Sequence, residues 1–203
     1  MKTEPDTKQR ILEAAHELIS QQSYGAVSVD DICAKAGVRK GSFYHFFPSK
    51  SDLAVAAIEE FWQQSREKLD NIFSPQTPPL ERIAEYCEAI YQWQKEGYDK
   101  TGKVCGCPYA SIGSEQSTQD EKIRCKSTEI FERMHTYLEA ALRDAMREGL
   151  IAGGDVSMRA SEMLSLVEGT MLQAKVQNSL EMLRQLRATA FRFLGVLEPA
   201  PEV

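Results

Sequence analysis

The sequence contains no apolar run that approaches the roughly eighteen residues of a membrane helix, so no membrane span is expected. Its first six residues, Met1-Lys2-Thr3-Glu4-Pro5-Asp6, lack the apolar segment of a secretory signal, which predicts a cytoplasmic protein. In that compartment five cysteines, an odd number, read as thiols and not as a disulfide framework. Val and Ile are sparse and alternation is poor, so strands are not expected. Gly-x-Ser-x-Gly, the Walker A pattern, the dinucleotide-binding glycines and His-Glu-x-x-His are all missing, which argues against an enzyme. The histidines, His16, His45 and His135, share no ligand spacing, so neither a metal nor a cofactor is expected.

Charge is present but unevenly spread. The chain of 203 residues carries a net charge of −6, which argues against a protein that coats nucleic acid through bulk charge. Residues 1–50, however, hold 7 Lys and Arg against 6 Asp and Glu. From Ile32 to Ser51 there is no carboxylate at all beside Lys35, Arg39, Lys40, His45 and Lys50. A short basic island of this kind is either a solvated surface or the electrostatic footprint of phosphate binding, and charge alone does not separate the two.

Ala, Leu, Glu, Gln, Lys and Arg fill long stretches between a few Gly and Pro positions, so the fold class reads as all-α. A first helix is expected over 6–22, opened by Asp6 and Gln9 as a capping box and buried through Ile11, Ala15, Leu18 and Ile19. Ser28 to Asp31 form a second box opening a short helix to Ala36, Gly37 supplies a turn, and a third helix covers 40–47 until Pro48 stops it. Ser49 to Asp52 form a third box, at the head of a long helix to Phe73. Beyond the breaker Ser74-Pro75-Gln76-Thr77-Pro78-Pro79, helices are expected at 80–95, 108–115, 118–148, 157–178 and 180–197, with 96–107 irregular. This divides the chain into a short-helix N-terminal domain over 1–50, a larger helical domain over 51–198 and a frayed tail over 199–203.

Two short helices around a Gly turn, the second basic and rich in small polar and aromatic side chains, have the form of a helix-turn-helix. Ile32, Ala36 and Val38 are spaced to pack the pair, and Gly41-Ser42 keep the start of the second helix slim enough for the major groove. Tyr44 and His45 offer donors to flanking phosphates, and Lys50 stands at a helix N-terminus that favours an anion. The whole segment from Val27 to Leu53, VSVDDICAKAGVRKGSFYHFFPSKSDL, resembles the DNA-binding signature of the TetR family of bacterial repressors. The resemblance implies a three-helix N-terminal reader and a C-terminal helical ligand-binding and dimerisation domain. It also implies a homodimer on a palindromic double-stranded operator, with release by a small-molecule or electrophile inducer. Carried over by position, the implied DNA contacts are Ser28, Lys40, Gly41, Ser42, Tyr44, His45 and Lys50. Arg39 departs from the pattern, standing where a Ser or Thr cap is common, and is read as an extra phosphate contact.

In the regulatory region the unusual feature is Cys105-Gly106-Cys107-Pro108, two thiols one residue apart before a helix. The run from Gly106 to Glu121, with Leu172 to Lys175, is similar to a TetR branch that includes thiol-based electrophile sensors. Cys107, at a helix N-terminus whose amides favour thiolate, reads either as a sensor, with Cys105 as resolving thiol and Lys175 as a nearby charge, or as a small packing residue beneath a ligand pocket. Tyr91, Phe131, His135 and Met171 are candidates for an inducer pocket or, one by one, for plain core. Cys33, Cys87 and Cys125 read as structural. Two other readings stay open on the residues alone: a helical redox or metal-binding protein using Cys105 and Cys107, and a plain helical interaction module.

Overall fold

The computed structural model describes residues 6–196, with the side chains of all but Ser20 and Gln21, and those residues form ten helices and no strand. The tail expected over 199–203 lies outside the described residues. In chain order the helices are α1 (Thr7–Gln21), α2 (Val29–Ala36), α3 (Lys40–Phe46), α4 (Lys50–Ile72), α5 (Pro79–Thr101), α6 (Pro108–Gln116), α7 (Glu121–Arg147), α8 (Val156–Gln177), α9 (Glu181–Arg184) and α10 (Leu186–Leu194). None of them is long and apolar enough to cross a membrane.

They belong to two compact units. The first takes residues 6–65 and 108–130, and the second takes 66–107 and 131–196. In the first, α1 packs on α2 and α3 around Ile11, Ala15, Ile32, Phe43 and Leu53, all fully buried, with Ile123 and Ile130 of α7 in the same state. Burying six or seven such side chains contributes about 1.5–3 kcal/mol each, which is what holds short helices that would not persist alone. Gly113 lets α6 lie close on α7, since a Cβ there would stand 3.0 Å from the Ser127 hydroxyl.

The second unit packs α5, α8, α9 and α10 with the end of α7 around Ile83, Leu138, Leu142, Met163, Val167, Leu183 and Leu186. Its one buried arginine among the described residues is Arg82, which donates to Asp144 at 2.7 Å, to the Thr77 carbonyl at 2.7 Å and to the Pro75 carbonyl at 3.0 Å. The Pro-rich breaker is thereby tied down, and the Arg82 guanidinium holds the Asp144 carboxyl below its ordinary range.

Local expectations meet the structure unevenly. The boxes at Ser28–Asp31 and Ser49–Asp52 form, each serine accepting the aspartate amide at 3.1 Å. Asp6 caps nothing with its side chain, and the Gln9 amide donates to the carboxylates of Glu13 and Glu60, 3.4 Å from each. Helix α5 runs through the expected irregular stretch to Thr101 before Gly102, at φ +69°, ends it. The single helix expected over 180–197 is broken at Gln185, whose N–H turns back three residues to Met182 and interrupts the helical ladder.

Candidate nucleic-acid interface and sensor loop

The reader is built from a few short-range choices. Ser28 and Asp31 close a reciprocal box, with the Ser28 amide donating to Asp31 at 2.8 Å and the Ser28 hydroxyl at 2.6 Å. Those bonds hold the Asp31 carboxyl below its usual value. Gly37 adopts the left-handed conformation at φ 64° that an L side chain resists, and Val38 then donates to the Cys33 carbonyl to finish the turn. Phe43 anchors α3 from below, 5.9 Å from Phe47 and edge-on to Tyr44 at 5.2 Å. What α3 leaves outward is Arg39, Lys40, Gly41, Tyr44 and His45, all exposed, with Ser42 half-buried. A Cβ on Gly41 would meet nothing within 4 Å, so the head of α3 is open to an approaching surface.

Not every outward cation is equally available. Lys40 pairs with Asp30 at 2.8 Å across solvent. Lys50 is folded inward: its amine donates to the Tyr24 carbonyl and sits 4.0 Å from the centre of the Tyr24 ring, and burial pulls it below the ordinary lysine range. The same turn is gripped by Glu115 of α6, which accepts from the amides of Tyr24 at 3.0 Å and Gly25 at 2.6 Å.

In the second unit, loop 102–107 is held from three sides. Gln94, 1% exposed, takes Gly106 with both ends of its amide, accepting from the Gly106 N–H at 3.0 Å and donating to the Gly106 carbonyl at 3.1 Å. Asn178, left-handed at the end of α8, accepts from Val104 at 2.9 Å and donates to the Gly102 carbonyl at 3.0 Å. Lys175 lies across Gly106, where a Cβ would stand 2.9 Å from Lys175 Cδ and a side chain would be strained at a φ of +70°, so glycine is favoured at position 106. Cys107 is thereby fixed and buried, and Cys105 stays half-exposed.

Residues 11–64 match the family model of bacterial regulatory proteins of the TetR family, and residues 79–189 match that of the LmrA/YxaF-like transcriptional regulators' C-terminal domain. The chain belongs to the TetR family of transcriptional regulators. A regulator from the lacX 3' region of Lactococcus lactis subsp. lactis is 28% identical over 94% of this chain and 95% of its own length. The transcriptional repressor NemR of Escherichia coli K12 is 26% identical over 92% of each. The crystal structure of E. coli NemR in reduced form superposes with a TM-score of 0.79 at 25% identity, covering 97% of this chain and 100% of that one. A TetR regulator from Rhodobacter sphaeroides gives 0.80 at 27%, covering 91% and 97%. This TetR-family chain is therefore an all-α DNA-binding regulator, and the reading as a stand-alone redox or metal-binding protein finds no support. Among the described residues no group of three or more His, Cys, Asp or Glu comes together as a metal site.

Within the TetR fold the expected sensor residues separate. Cys105, Cys107, Met171 and Lys175 gather around the loop, Met171 Sδ lying 4.0 Å from the Gln94 amide. His135 is elsewhere, its Nε2 at 2.9 Å from the Ser157 carbonyl, about four helical turns from Met171 along α8. Tyr91 accepts from Arg184 at 3.2 Å, and Phe131 is half-buried on α7. Two residues at the loop escaped the sequence reading: Gln94, whose burial nothing local announces, and Glu168. The available signal for Glu168 was its place three and seven residues before Met171 and Lys175, on the same helical face.

Proposed function

We propose that the chain is a repressor that binds a palindromic operator as a homodimer and releases it when a small-molecule or electrophile inducer acts at loop 102–107. The observation that carries the reading is α3 itself, a helix with no carboxylate whose outward face is Arg39, Lys40, Gly41, Ser42, Tyr44 and His45 above a buried Phe43. Lys40, Gly41 and Ser42 address base edges; Arg39, Tyr44, His45, Ser28 and Lys50 address the backbone. For Lys50 this means exchanging the Tyr24 carbonyl for a phosphate oxygen.

Pairing of two copies rests on α8. Met158, Ser161, Ser165, Gly169, Leu172 and Val176 fall on one stripe without a charge, and Met158, Leu172 and Val176 are exposed. The serine hydroxyls donate back to carbonyls one turn earlier, so the stripe presents little polar demand. Phe193 on α10 extends the apolar area. Two-fold pairing sets the readers about 34–36 Å apart, one turn of DNA, or a multiple. The protein works in the cytoplasm, carries no catalytic activity and needs no cofactor on this reading. Selection of bound DNA from a random pool tests it: a palindrome whose affinity falls steeply with salt is expected, and enrichment of a single asymmetric site, or none, would overturn it.

A further inference from the structure

Asp30 puts a carboxylate on the face that this regulator offers to DNA. It stands in the first turn of α2, is exposed, and lies 2.8 Å from the Lys40 amine at the head of α3. Its neighbour Asp31 is consumed by the Ser28 box, but Asp30 takes no part in that box, and Lys40 is its bonded partner among the described residues. The Asp30 carboxylate in turn holds the Lys40 amine above the ordinary lysine range. With side-chain exposures of 56% for Lys40 and 69% for Asp30, the pair adds little to the stability of the fold. A negative charge so placed also opposes the phosphates that every DNA sequence presents. Neither stability nor general affinity accounts for it, whereas base recognition does.

We infer that Asp30 is a sequence-reading residue, accepting from the N4 amino group of a cytosine while Lys40 donates to O6 and N7 of the guanine paired with it. This rests on the reading of α3 as the base-addressing helix and deepens it by naming the base pair. In the major groove guanine presents two acceptors, and its cytosine presents a donor beside them. The ion pair presents the complement, an ammonium donor and a carboxylate acceptor 2.8 Å apart, held on two different helices. Lys40 is the first residue of α3, at the end of a recognition helix that meets base edges, and Gly41, where a Cβ would meet nothing within 4 Å, leaves room beside it. A lysine alone is a flexible point charge that reaches a phosphate as readily as a base. With Asp30 beside it, approach to a phosphate brings two like charges together, so the amine is committed to the groove. If the base pair is reversed, the carboxylate meets the guanine acceptors and the ammonium meets the cytosine donor, and both are left unpaired. Of the two A·T orientations, one turns the thymine carbonyl towards Asp30. The other gives Lys40 a single acceptor and a methyl group in place of two acceptors.

The test is selection of bound DNA from a random pool by the full-length wild type, Lys40→Ala and Asp30→Ala. Each protein is then titrated against the wild-type operator, its single-pair variants and a random-sequence duplex. A palindrome is expected in which each half-site holds one G·C pair that both substitutions relax. Asp30→Ala is expected to lose roughly 10-fold of discrimination at that pair, to keep its preferences elsewhere, and to bind the random duplex more tightly than wild type. Asp30→Asn, which keeps the shape and removes the charge, is expected to share the tighter binding to random duplex, and it serves if the alanine variant does not fold. A change of affinity that is equal on every sequence, with discrimination intact, would overturn the role of Asp30. So would relaxation of an A·T pair, or relaxation of different pairs by the two substitutions. A wild type that selects no palindrome would overturn the reading of α3 beneath it.

Discussion

The reader and the sensor loop are built by contacts of opposite range. The bonds that close the cap of α2 and the turn after it join residues at most five apart, from Ser28–Asp31 to Val38–Cys33. Loop 102–107, the proposed inducer site, is shaped by Gln94 acting on Gly106, Asn178 acting on Val104, and Lys175 lying on Gly106. The first arrangement has its ends and turn set by its own sequence, is held by packing on α1, and presents an open face. The second exists only once α5 and α8 are packed, so its polar groups are buried, a side chain in place of its glycine is strained, and a small chemical change within it meets packed neighbours on several sides. A surface that must fit a fixed partner is suited to local definition, and a site that must respond is suited to many long-range constraints that one event disturbs together.

Removal of Gln94 breaks this contrast most sharply. Gln94→Leu strands the N–H and carbonyl of Gly106 in the interior, and a cost of about 3 kcal/mol is expected in denaturant unfolding. DNA affinity without inducer, set by the reader, is expected to stay within twofold. Next in size is a pH effect. The Glu168 carboxyl titrates at about 7 in the folded protein against 4.5 when unfolded, so the folded state holds the extra proton between those values. Stability is therefore expected to fall as pH rises from about 4.5 to about 7, by roughly 2–3 kcal/mol, and Glu168→Gln is expected to flatten that slope in thermal or chemical unfolding. The smallest effect is on the reader side. Ser28→Ala removes one half of a capping box and is expected to cost about 1 kcal/mol, seen as a lowered melting temperature, with the Cys107 alkylation rate unchanged.

The same distinction explains what could be read from the sequence. The capping boxes at Ser28 and Ser49, Gly37 and the stop at Pro48 are local signals, and the two short helices they bound are where the sequence places them. Asp6 and Gln9 present the same pattern and do not form a box; the Gln9 amide donates to Glu13 and Glu60, the second of them 51 residues away. The inward fold of Lys50 depends on Tyr24, 26 residues earlier, and the grip of Glu115 on Tyr24 and Gly25 spans some ninety. Neither leaves a local mark. Cys105 and Cys107 were visible as an unusual spacing, and Lys175 through family resemblance, but Glu168 looked like any charged residue on a helix until packing enclosed it.

The link between the two regions is the central claim, and release of DNA tests it most directly. With the selected operator bound by the full-length protein, fluorescence anisotropy is followed while methyl vinyl ketone is added to wild type and to Cys107→Ser at matched affinity. Wild type is expected to let go as Cys107 is alkylated, and Cys107→Ser to remain bound over the same time; equal release from both proteins would contradict the account.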